Sequence, residues 1–299
     1  MKEHKRRFGD RKDGFLVRDA DTMHRFMPYI MPNRADNEAV VTETIDLTAV
    51  TEYLAKKNDP MPDFKYTFFH VITAAIAKTI ALRPKLNRFY AGKKLYERNE
   101  LSLSFTAKRR FEDHSDEALC IVKVDREGDT SPIEQIHSKI ERFVTKVRKE
   151  NKQDGATDIM DILVKLPRCM IKGVVGILRW LDYHGWYPKA LMAEDPYYSS
   201  VFVSNLGSIK MKAEYHHLAN WGTNSVFVII SEKKQRPLFF EDGRFEMREM
   251  LDLSITLDER IADGYYYAKS VKLLKAILEN PAVLDEGITA VNDELKAFL

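Results

Sequence analysis

Residues 258–264 read Asp-Glu-Arg-Ile-Ala-Asp-Gly, a charged heptapeptide between a strand-like and a helix-like stretch. Glu259 stands four residues before Asp263 and can present a carboxylate to a cleft, while Arg260 supplies a cation beside it. Asp263-Gly264 joins a short carboxylate to a residue that tolerates unusual backbone angles. A carboxylate fixed in this way suits proton transfer. Asp-Gly is also an ordinary turn, so the heptapeptide alone leaves both readings open. Ser204 opens Ser-Asn-Leu-Gly after a short apolar run and places a hydroxyl at a strand edge, where a turn or cap role is equally available. His216 and His217 could bring an imidazole to such a site. Adjacent side chains usually point different ways, so at most one would serve, and a surface or structural role stays open for both.

These groups need a scaffold. Leu251, Leu253, Ile255 and Leu257 alternate as a half-buried strand before the heptapeptide, and residues 267–280 read as a helix after it. Further strands are expected over 40–47, 101–106, 118–124, 201–203 and 224–230. Helices are expected over 48–57, over 64–82 up to Arg83-Pro84, and from Ser131 onward. There a Ser cap, a proline in the first turn and Glu134 agree. His70 sits among apolar neighbours and reads as a packed core histidine; His137 falls between charged neighbours and reads as exposed.

Composition narrows the classes. The chain has 299 residues, 44% hydrophobic and 31% charged, enough for a sizeable core. A formal net charge of +2 gives no global field for nucleic acid. Cys120 and Cys169 have no metal-ligand spacing, and a reduced, cytoplasmic setting suits them. No metal site is expected. The basic N-terminus lacks the apolar core of a signal peptide, and no apolar run reaches membrane-spanning length. Residues 1–18 read as a basic, solvated arm, followed by a single domain over 19–299.

The heptapeptide resembles the Asp-His-Arg-x-x-Asp-Gly signature of the 2-oxo acid dehydrogenase acyltransferases, and more distantly the His-x-x-x-Asp-Gly motif of chloramphenicol acetyltransferase. "TETIDLTAV" is similar to that family's first core strand and "RPKLN" to its Pro-x-x-Asn turn. "VFVSNLGS" looks like its Ser-x-Leu segment, with Ser204 55 residues before Glu259. The likeness runs from about Arg25 to Pro281 and is poor over 150–195. It implies an α/β fold: a two-layer sandwich of mixed β-sheet and helices, chloramphenicol-acetyltransferase-like, in a homotrimer with the site at a subunit interface. It also implies acyl transfer between coenzyme A and a thiol, hydroxyl or amine acceptor, with a coenzyme A thioester as co-substrate and no permanently bound cofactor.

The family's catalytic histidine falls on Glu259. Glu259 is therefore expected as the base, with Ser204 as oxyanion donor. Asp263 is expected to brace the site, paired with Arg25 or, as second choice, Arg34. Arg260 and Gly264 support the turn, and Asn205, His216 and His217 are expected at the substrate. The alternative is a catalytically silent trimeric binding or scaffold protein that keeps the fold. Residues 159–186, broken by Pro167 and carrying Trp180, Trp186 and several basic residues, admit three readings. They could pack on the domain or a neighbouring subunit, wall an acyl tunnel, or lie on a membrane surface.

Overall fold

The computed structural model describes residues 5–108, 117–126, 130–150 and 164–299. Its centre is a seven-stranded mixed sheet built from β2 (Glu38–Asp46), β5 (Leu101–Lys108), β6 (Glu117–Val124), β7 (Val201–Asn205), β8 (Val226–Ile230), β9 (Lys234–Phe239) and β10 (Phe245–Asp258). The strand order is β2-β10-β8-β7-β5-β6, with β9 paired to the first half of β10. β5, β7 and β8 run parallel, and the other pairings are antiparallel. A small sheet, β1-β4-β3, adds β1 (Gly14–Leu16), β3 (Arg88–Ala91) and β4 (Lys94–Arg98).

Successive side chains on a strand point to opposite faces, and here each face has its own composition. Val201, Val203, Val226, Val228, Ile230, Leu253, Ile255 and Leu257 enter the main core. There they meet α2 (Thr48–Asn58), α3 (Phe68–Leu82), α4 (Pro132–Glu150) and α7 (Gly264–Glu279). The other face carries Phe202, Phe227 and Ile229, covered by Leu218 and the loop before it. Each fully buried side chain of this kind contributes about 1.5–3 kcal/mol, so the sheet is a rigid platform for whatever its ends carry. The two-layer α/β sandwich expected from the sequence is the observed architecture.

Local signals explain most boundaries. Asp46 Oδ1 accepts from the Thr48 backbone N–H at 2.9 Å and starts α2. α3 begins at Phe68 rather than 64, because Thr67 and His70 form a reciprocal capping box. Ser131 Oγ accepts from Glu134 N at 3.4 Å, but the Glu134 carboxylate turns instead to Lys57 and Tyr66. His137 is buried, contrary to its sequence neighbourhood. It stacks on Tyr66 at 3.8 Å between ring centroids and bonds the Phe64 carbonyl through Nε2 at 2.7 Å.

The expected arm over 1–18 is docked in its second half. Residues 14–16 pair with β4, and Arg11 is buried in ion pairs with Asp13 and Asp182. These interactions join residues far apart in sequence, which local composition does not reveal. Residues 151–163, including the first part of the 159–186 stretch, lie outside the described residues.

Candidate active site

The heptapeptide closes the sheet at the end of its longest strand. β10 ends at Asp258, and α7 begins at Gly264. Two backbone bonds pin the turn to its neighbours: Asp258 N–H donates to Ser225 O at 3.0 Å and Glu259 N–H to Asn37 O at 2.9 Å. Asn37 in turn donates through Nδ2 to Asn33 O at 2.6 Å, which ties the turn to the segment entering β2.

The ionic brace differs from the expected one. Asp258, not Asp263, is the buried carboxylate, and Arg260 grips it bidentately at 2.8 and 2.7 Å. Arg260 also donates to the Met31 and Pro32 carbonyls and lies over the Tyr90 ring. The Arg34 guanidinium stands 3.8 Å from Asp258 and donates to Ala219 O, Gly222 O and Tyr90 O. Burial pulls the Arg34 pKa down, Asp258 opposes that shift, and Arg260 adds to it. Tyr267 donates its hydroxyl to the Asp258 carbonyl, and burial raises its pKa well above the usual phenol range.

Asp263 caps α7 instead, accepting from Tyr266 N–H at 2.8 Å, and that bond holds its pKa below the usual carboxylate range. Arg25 is exposed and donates to the Arg18 carbonyl, away from Asp263. The expected Asp263–Arg25 pair is thus replaced by Asp258–Arg260, with Arg34 alongside. A carboxylate at a helix N-cap is satisfied locally, whereas one at the buried end of a central strand needs a cation. Gly264 is the first residue of α7 and needs no left-handed conformation; a side chain there would meet open space.

Glu259 projects outward. Its side chain is exposed and makes no hydrogen bond or ion pair among the described residues.

Ser204 is half-buried on β7, and its hydroxyl has no partner among the described residues. Cross-strand partners run Ser204–Ile229–Ser254, which places Ser204 level with Ser254 on β10, five residues before Glu259. Five residues of strand rise amount to about 16 Å, and two strand spacings add about 10 Å sideways. Ser204 and Glu259 do not meet within one chain. Ser254, level with Ser204, has a buried hydroxyl without a partner among the described residues.

Gly207 lets the segment after Ser204 pass close to Ser231. A Cβ there would lie 2.5 Å from the Ser231 carbonyl oxygen and 3.2 Å from Asn205 Oδ1. His216 and His217 are exposed, and His216 stacks on Phe227 at 4.1 Å, on the sheet face away from the helices. Among the described residues neither bonds to or stacks on the 258–264 turn, and Asn205 sits beside Ser204 at the end of β7. Among the described residues no group of His, Cys, Asp and Glu is arranged to hold a metal.

Over residues 188–285 the chain matches the family model of 2-oxoacid dehydrogenases acyltransferase (catalytic domain). The matched segment contains Ser204, the β8–β10 strands and the whole 258–264 turn. The chain is 23% identical, over 77% of its length, to the lipoamide acyltransferase component of the branched-chain alpha-keto acid dehydrogenase complex of Bacillus subtilis. It spans 45% of that protein's length.

Its fold is shared with Azotobacter vinelandii dihydrolipoamide acetyltransferase, at 16% identity and a TM-score of 0.57, covering 89% of this chain and 93% of that one. A serine, a histidine and an asparagine have been investigated in the catalytic mechanism of that enzyme. A chloramphenicol acetyltransferase also shares the fold, at 9% identity and a TM-score of 0.50, covering 87% of this chain and 96% of that one.

Several of the site's supports escaped sequence reasoning: Asp258 as the buried acid, Asn37, Tyr90 and Ser254. Asp258 had one available signal, its position as the last residue of a long apolar alternation. An acid there is carried into the sheet.

Proposed function

We propose that this chain is an acyltransferase that moves an acyl group between coenzyme A and a thiol, hydroxyl or amine acceptor, at a site shared by two protomers. The observation that carries this reading is the separation of Ser204 from Glu259. Both lie in the acyltransferase-matching segment, both side chains lack partners among the described residues, and the sheet register keeps them apart within one chain. A homotrimer that brings Ser204 of one protomer to Glu259 of the next completes the set.

The chemistry runs as follows. The Glu259 carboxylate accepts the proton of the acceptor's S–H, O–H or N–H as the acceptor attacks the thioester carbonyl carbon. The Ser204 hydroxyl donates to the oxyanion that forms. The C–S bond then breaks, and the coenzyme A thiolate takes up the proton. The Asp258–Arg260 pair holds the backbone of the turn during these steps and does not touch substrate. Two free cysteines suit a reducing, cytoplasmic setting.

A second reading, a silent binding or scaffold protein of the same fold, rests on the motif resemblance that puts the family's histidine on Glu259. Acyl transfer from a panel of acyl-CoA donors to dihydrolipoamide, amines and alcohols separates the two. Turnover by the wild type that Glu259→Gln abolishes supports the enzyme. Silence in the wild type with turnover only in Glu259→His gives the scaffold reading. Mixing Ser204→Ala and Glu259→Gln protomers under exchange conditions tests the shared site, since some interfaces in the mixture regain both groups. Absence of any recovery would place the site within one chain.

A further inference from the structure

Immediately before the acyltransferase-matching segment lies a helix, α5 (Arg168–Tyr183), none of whose residues is fully buried. One side of it is half-buried against the body through Ile171, Val174, Val175, Leu178 and Leu181, with Leu178 packed on the Tyr187, Met192 and Tyr198 cluster. Beside that side runs an exposed apolar stripe: Met170 at 51%, Ile177 at 61% and Trp180 at 52%, continued past the helix by Trp186 at 57%. Gly173 and Gly176 keep the outer surface low, with open space where their side chains would be.

A basic edge runs along the opposite flank of the outer surface, across Gly176 from the stripe. Arg168, Lys172 and Arg179 follow one another at helical spacing, with Lys165 just before. None of the four is paired with a carboxylate among the described residues. The only acid between 164 and 186 is Asp182, and Arg11 occupies it at 2.7 Å. At the far end Trp180 packs edge-on to Trp186 at 5.4 Å, with the His184 ring 4.5 Å from Trp180.

We infer that this face docks on an anionic lipid bilayer, with α5 lying in the plane of the surface. Helices of this make-up, with tryptophan and aliphatic residues on one side and arginine and lysine beside them, bury the apolar side at the headgroup boundary and pair their cations with anionic lipid. The charge decides among occupants. Pairing the face with itself in a second copy sets cation against cation, because its segment has no free acid, whereas an anionic bilayer supplies a matching surface. Spanning is excluded for this helix: no helix among the described residues is long and apolar enough to cross a membrane. The inference does not depend on acyl transfer, since its readout is binding.

The test uses the full chain with phosphatidylcholine vesicles, with and without phosphatidylglycerol, at low and high salt. Expected is co-flotation with phosphatidylglycerol vesicles at low salt, a blue shift of tryptophan emission on binding, and release at high salt. Replacing Arg168, Lys172 and Arg179 together by Gln should weaken binding on the order of a hundredfold, at about fivefold per surface cation. Ile177→Glu should abolish the blue shift while circular dichroism stays unchanged. Absence of flotation at low salt overturns the inference, as does binding that survives both variants. A concentration-dependent oligomer that Ile177→Glu dissolves also overturns it and assigns the face to a second copy.

Discussion

Arg260 reaches back two residues and holds both oxygens of Asp258, at 2.8 and 2.7 Å, with both side chains buried at the end of the longest strand. This contact, rather than one to Asp263, sets the shape of the turn that presents Glu259. Removing one partner of a buried, hydrogen-bonded ion pair leaves an uncompensated charge. Asp258→Ala should therefore cost about 3–5 kcal/mol of stability. Asp263→Ala, which removes only a helix cap, should cost about 1 kcal/mol. Urea denaturation of both variants checks the order, and equal losses would mean the brace is misassigned.

The shared-site reading makes Ser204 a transition-state group. Ser204→Ala should lower kcat about 100- to 1000-fold with little change in KM, the size expected for one lost oxyanion donor. The same variant should unfold at nearly the wild-type urea concentration, because its hydroxyl has no intramolecular partner among the described residues. A large loss of stability with intact kcat would assign Ser204 a structural role.

His70 gives the fold an acid limb. Its ring is buried, with Nδ1 accepting from the Thr67 N–H at 3.0 Å, and burial, aided by the neighbouring His137, lowers its pKa from 6.5 to about 4. Between those values the unfolded chain binds a proton that the folded chain refuses, so stability is complete above pH about 6.5 and falls as pH drops toward 4. The full loss from this group is about 3 kcal/mol. His70→Gln keeps a capping partner at the same position and removes the titration. Its stability should fall less steeply across this window, and an unchanged slope would sink the assignment.

The two cysteines should differ in reactivity. Cys120 is buried in the core and burial pushes its thiol up to about 12, while Cys169 is exposed on α5. A thiol reagent at neutral pH should modify one thiol rapidly in the folded chain and both in denaturant. Rapid reaction of two folded thiols would mean that the β6 core opens. Protection of Cys169 by phosphatidylglycerol vesicles would add an independent reading on the α5 surface.

Much of the architecture was legible because it rests on short-range patterns. Alternating apolar residues mark β2, β5, β6 and β10, a Ser-Pro-x-Glu start marks α4, and Arg83-Pro84 marks the end of α3. The family likeness was legible for the same reason, since Ser204 and the 258–264 turn are contiguous strings at a characteristic spacing. Pairings made across the fold were not. β1 and Arg11 dock onto partners at 94–98 and 182, and His137 is buried because Tyr66 and Phe64 arrive from another part of the chain.

The sequence by itself determined six of the sheet's seven strands, β9 being the exception, the helices that cover it and the two stretches that carry the family likeness, because hydrophobic period and turn residues act over a few positions. Only the tertiary structure decided which aspartate is the buried brace, which arginines hold it, and that Ser204 and Glu259 lie at different levels of one sheet. Burial and strand register belong to the assembled sheet, and local residue order does not encode them.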